Sequence, residues 1–146
     1  MNSIKIILPA FILLVAFSLP SLAQSNNDIM VSGSIDLIKT DYSSFLDKAQ
    51  IGLEGHYFVV RHFAASAGVE LWTNQKSSFM MGMRWYAHDH VFVRFRGLIG
   101  ANDVSIGGGW VMPINDAWRF EAIGDFYVAD TEFAIRAGLS YVIKSK

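Results

Sequence analysis

From Asp28 to the end of the chain, apolar and polar residues alternate with a period of two, and no window holds a helical period for long. That alternation is the mark of extended strands whose two faces meet different surroundings. Eight such runs are predicted, over 28–38, 48–60, 62–73, 77–87, 90–100, 104–113, 117–129 and 131–143. Short polar segments separate them, among them Asn74-Gln75, His88-Asp89, Asn102-Asp103, Pro113-Ile114-Asn115-Asp116 and Ala129-Asp130. Such segments are turn chemistry. Connections this short make consecutive strands antiparallel neighbours, so the expected topology is an up-and-down meander. With no helix to cover its edges, an eight-stranded antiparallel sheet removes them by closing into a barrel.

Sorting each run by parity separates two faces. One is apolar and carries no charge; it includes Ile29, Val31, Leu53, Val69, Met81, Met83, Val93, Phe95, Ile106, Ile135 and Leu139. The other collects the mid-strand charges: Asp36, Glu54, Glu70, Glu121, Asp125 and Glu132 against Arg84, Arg94, Arg96, Arg119 and Arg136. Small residues lie between those charges, such as Ser32, Gly52, Ser66, Gly68, Gly82, Gly107, Gly138 and Ser140.

Alternation alone does not say which face is the interior, because a soluble ligand-binding barrel turns its apolar face inward and a membrane barrel turns it outward. Three features favour the second. Lys39, Lys48, Lys76, Lys144 and Lys146 fall in predicted loops or at strand ends, whereas five arginines are mid-strand. Arginine suits dense bidentate pairing away from bulk water, so the charged face reads as enclosed. A narrow eight-stranded lumen has room for a face of Gly, Ser and Ala punctuated by ion pairs, and little for a face of large aromatics. Finally, Tyr57, Phe63, Trp85, Trp118 and Tyr141 gather near one end of the apolar face, with Phe79, Phe126 and Phe133 near the other. Two aromatic girdles flanking an aliphatic band are what two membrane interfaces select.

The N-terminal segment fits that reading. Lys5 precedes an apolar stretch from Ile6 to Leu19, followed by Pro20-Ser21-Leu22-Ala23 with small residues at the third and last positions. This predicts a secretory signal peptide over 1–23, too short for a spanning helix, and one barrel domain over 24–146. The composition is 52% hydrophobic and 17% charged, with a mean hydropathy of +0.31. These values then come partly from the signal peptide and otherwise mostly from a surface meant for lipid, not from an unusual soluble core. A net charge of −1 leaves no basic face for nucleic acid, and the absence of cysteine removes disulfides, thiolate metal sites and thiol nucleophiles.

The last run, Arg136-Ala137-Gly138-Leu139-Ser140-Tyr141-Val142-Ile143, together with the eight-run pattern, resembles the small outer-membrane barrels of Gram-negative bacteria, of the OmpA transmembrane-domain and OmpX type, in the porin-like superfamily. The resemblance implies a monomer in outer-membrane lipid, assembled through recognition of that final strand by the barrel-assembly machinery. This chain departs from it by ending on Lys144-Ser145-Lys146 where a terminal Phe is usual. It also implies termini on the periplasmic side, periplasmic turns at 60–62, 87–90 and 113–116, and outer loops at 39–47, 74–77, 101–104 and 129–131. Only 39–47, with Tyr42, Phe45 and Leu46, is long enough to present a surface.

The strongest constellation for chemistry is the set of six acids and five arginines, expected to pair across the lumen and fill it. The alternatives are a narrow path for small ions and, in a different class, a soluble periplasmic barrel holding an apolar ligand. No catalytic, cofactor or metal site is expected. His56 lies two residues from Glu54 and near Ser66, but a lipid substrate does not reach the lumen. His88-Asp89-His90 reads as a solvated connection, not a metal site. Gly107-Gly108-Gly109 lacks the helix and Lys-Ser/Thr of a phosphate loop, and so reads as close packing of a strand.

Overall fold

The computed structural model describes residues 25–39, 50–72 and 77–146. Its elements are β1 (Ile29–Lys39), β2 (Gln50–Val60), β3 (Phe63–Trp72), β4 (Ser78–His88), β5 (Val91–Ile99), β6 (Asp103–Pro113), β7 (Trp118–Tyr127) and β8 (Glu132–Ile143). They close into a barrel in sequence order, every pair antiparallel, with β1 hydrogen-bonded to β8. Each strand agrees with its predicted run to within two residues at either end. Strands of 9 to 12 residues are the length that crosses the hydrocarbon of a bilayer at the tilt of a barrel. The predicted signal peptide lies outside the described residues, as do Tyr42, Phe45 and Leu46 of the longest loop and most of 74–77.

Turns at Arg61–His62, Asp89–His90 and 114–117 share the end of the barrel that holds both termini; those at 100–102 and 128–131 lie at the opposite end. Asn102 and Thr131 take left-handed conformations in the latter two, and Gly100 sits at a φ of 117° that side chains rarely adopt. At the termini end Asp28 is fully buried. Its carboxylate accepts the Ser25 N–H (2.8 Å) and the Ser145 N–H (2.9 Å), tying the tail beyond β8 to the start of β1.

The faces sort by strand parity. Ile29, Val31, Ile35 and Leu37 of β1, Ile51, Leu53 and Val59 of β2, and their equivalents around the wall are exposed, and among the described residues no charge shares that face. Seven of the eight predicted girdle residues, Tyr57, Trp85, Trp118, Tyr141, Phe79, Phe126 and Phe133, are exposed on it, and Phe63 is half-buried opposite Trp85. Trp118 and Tyr141 are cross-strand partners whose rings meet edge-on at 5.0 Å. The Tyr57 hydroxyl donates to Asn27 at 2.7 Å, giving its polar tip a partner at the water side. A continuous apolar wall of this size is stable against hydrocarbon and not against water. The interior, by contrast, holds the charges.

Candidate functional site

All eleven predicted luminal charges are buried and point inward. Three of them sit in spaces made by small neighbours on both adjoining strands: Glu54 between Ser32 and Gly68, Glu70 between Gly52 and Ser78, Arg96 between Gly82 and Ser105. At Gly107 the fit is closest, because a Cβ there would overlap the carboxylate of Asp125 directly across the β6–β7 pair. Gly109 is held against the Phe92 ring in the same way, 2.6 Å from where its Cβ would be. The triple glycine of β6 is thus a packing device.

The centre of the lumen is one connected network. Glu54 faces Arg96 at 3.0 Å, Arg94 at 3.2 Å and Arg84 at 3.9 Å. Asp125 takes two donors from Arg94, the Nε at 2.9 Å and the other closer still, and a third from Arg96 at 3.1 Å. Arg96 and Arg136 converge on Glu70, and Arg136 also reaches Asp36 and the Tyr127 hydroxyl, the last at 2.6 Å. Arg84 pairs with Glu121 at 2.8 Å, which accepts Ser140 as well. Arg119 and Glu132 are buried at opposite ends of the same interior. Arg84 and Arg94 are direct cross-strand neighbours, a repulsive placement offset by the acids on either side. The bonds span the lumen from β2 to β5, from β4 to β7 and from β3 to β8, so they brace opposite walls.

Two features depart from the expectations above. The lumen is not filled by charges and small residues alone. Met30, Phe58, Tyr86, Phe92, Val111, Ile123 and Val142 form an apolar septum inside the termini end, and Met80, Leu98, Trp72 and Tyr127 lie inside the other. Within the septum the Tyr86 ring lies 5.7 Å from Phe58 and 5.5 Å from Phe92, and the Arg84 guanidinium stacks on Phe92 at 4.1 Å. Phe58 and Phe92 fit because their direct cross-strand partners are Ala64 and Gly109. The sequence carried a signal for them in its adjacent aromatic pairs, Tyr57-Phe58, Trp85-Tyr86 and Phe126-Tyr127, since strand geometry sends one member of each pair inward.

The second departure is Lys39, expected in a loop. A register shift between Asp36 and Ile38 turns two consecutive residues, Leu37 and Ile38, outward and brings Lys39 in, where it is buried. His56 is also fully enclosed, bonded through Nε2 to Ser32 (2.8 Å) and through Nδ1 to Ser66 (2.7 Å), with Glu54 at 3.7 Å. Both ring nitrogens are therefore committed to structural partners. At the termini end His88 and His90 stack at 6.0 Å, with His90 Nδ1 against the Val111 carbonyl. Among the described residues no group of three or more His, Asp or Glu is arranged to hold a metal.

An apolar wall outside and a braced, charge-filled interior together define a transmembrane β-barrel of eight strands. No protein-family model matches the chain, and no curated protein matches it. Among solved structures, a de novo designed transmembrane β-barrel superposes with a TM-score of 0.66 at 12% identity, covering 83% of this chain and 99% of that one. The N-terminal β-barrel domain of OprF from Pseudomonas aeruginosa gives 0.58 at 10% identity, with 82% and 100% covered. The protein EF1p2_mFAP2b, solved bound to DFHBI, gives 0.54 at 7% identity, with 81% and 92% covered. At these identities the likeness is one of fold.

Proposed function

We propose that this chain is a monomeric barrel of the bacterial outer membrane whose role is structural, and whose lumen is sealed against ions. On this reading the N-terminal 23 residues direct export, the barrel-assembly machinery recognises β8, and both termini face the periplasm. The observation that carries the sealed lumen is the stacking of two unlike barriers in series. At the termini end Phe58, Tyr86 and Phe92 are almost fully buried with their rings packed together, a septum expected to exclude water. The arginine network closes the centre, where an ion would have to displace bonds such as Arg94 to Asp125. Desolvating an ion past the first barrier and separating bonded charges at the second are both costly.

A catalytic role has little support from this interior. The Ser66, His56 and Glu54 set is enclosed, and its imidazole nitrogens are both taken by serines. A nucleophile needs a free base and a reachable substrate.

Conductance in planar bilayers tests the proposal. The purified barrel is expected to pass no resolvable single-channel current, and an Arg94→Ser/Arg96→Ser variant is expected to remain silent because the septum persists. Steady unitary currents from the wild-type protein would replace this reading with that of a low-conductance pore.

A further inference from the structure

At the end of the lumen away from the termini, the side chain of Lys39 enters a site whose parts come from five strands. Its ammonium lies 4.0 Å above the Trp72 ring and 5.3 Å from that of Tyr127. It donates to Gln50 Oε1 at 2.9 Å, with Asp36 at 3.4 Å and Glu132 at 4.0 Å. Two aromatic faces, two carboxylates and an amide oxygen are the full complement by which proteins recognise an alkylammonium group. We infer that this mouth of the barrel is a binding site for a primary alkylammonium group, occupied in the resting protein by the chain's own Lys39.

The walls are fixed by bonds that do not involve Lys39. Tyr127 is held upright through its hydroxyl by Arg136 (2.6 Å) and Arg96 (3.2 Å), and Trp72 meets it edge-on at 6.2 Å. Gln50 is oriented by donating its amide to Glu70. The site is therefore preformed, and withdrawing the lysine would leave a cavity of the right chemistry instead of a collapsed one. Lys39 reaches the site from the last position of β1, beyond the bulge, so rotation about its own side-chain bonds vacates it while the strands stay paired. An external ammonium takes those partners once Lys39 no longer fills the site.

The side chain of lysine is a butylammonium, which makes n-butylammonium the natural probe. In detergent micelles, Lys39→Ala is expected to unfold at lower urea than wild type. Millimolar n-butylammonium chloride should raise that midpoint saturably towards the wild-type value. Tetramethylammonium at equal ionic strength, which has no N–H to donate to Gln50 or the carboxylates, should restore much less. Wild-type protein should not move over the same range. If Lys39→Ala does not fold alone, the same amines are added during refolding and the fraction of compact, heat-modifiable barrel is read instead. Rescue that is absent in Lys39→Ala, equal for both ammonium ions, or matched by a parallel shift of the wild type would overturn the inference.

Discussion

The carboxylate of Asp125 lies over the α-carbon of Gly107, its direct partner across β6 and β7, so closely that no side chain fits between them. This contact lets Asp125 reach both Arg94 and Arg96. Gly107→Ala should push the carboxylate out of line with both guanidiniums. The expected loss is about 1–3 kcal/mol, the usual range for overpacking a filled interior. Urea titration of the barrel in detergent, with Gly108→Ala on the outward face as the control, measures it; a loss no larger at 107 than at 108 would contradict the account.

Glu54 is the acid shared by Arg84, Arg94 and Arg96. Glu54→Gln should destabilise the barrel by about 3–5 kcal/mol, because it leaves buried guanidiniums without a full counter-charge. Restoring balance should recover part of that loss, so Glu54→Gln/Arg94→Gln is expected to be more stable than Glu54→Gln alone. Additive losses in equilibrium unfolding would show that the network is not coupled.

Phe92 joins the septum to the charges, through Tyr86 on one side and the Arg84 guanidinium on the other. Phe92→Ala should cost about 3–5 kcal/mol as a buried aromatic truncation. It should nevertheless leave the barrel electrically silent, since the Arg94 to Asp125 layer stays closed. Adding Arg94→Ser and Arg96→Ser to Phe92→Ala removes both barriers, and only that combination is expected to conduct.

The outward face has a depth scale. Met83 is at the middle of β4 and Val91 begins β5 at the termini end, both exposed on the apolar wall. Met83→Arg should cost about 2–4 kcal/mol in lipid and Val91→Arg about 0–1 kcal/mol, measured by folding titrations in liposomes. Equal costs would mean that the wall does not sit across a bilayer.

The strand order, the barrel and the assignment of charges to the interior were legible because one rule, period two, acts on every residue of a strand. Glu54, Arg94 and Asp125 fell on one face by parity, and a single lysine or arginine on the other face would have broken the pattern. What parity could not show is where it fails. The register shift that brings Lys39 inward changes the phase of β1 without a marker such as proline or glycine at the step. The septum was missed for a different reason. Phe58 and Tyr86 each follow an outward aromatic, and a lumen taken as too narrow for aromatics has no place for the inward member of each pair. Room for Phe58 and Phe92 is made by Ala64 and Gly109 on neighbouring strands, which is a property of the closed barrel and not of any one run.

In the cell, the apolar wall is expected to face the lipid of an outer membrane, with the charges turned inward. Cell fractionation of a Gram-negative host expressing the full chain tests this most directly, with gel migration of the unboiled and boiled protein compared in the same fractions. Recovery in the outer-membrane fraction is expected, with a faster-migrating band before boiling, the sign of a closed barrel that resists detergent. Recovery in the soluble periplasmic fraction, with migration unchanged by boiling, would contradict it.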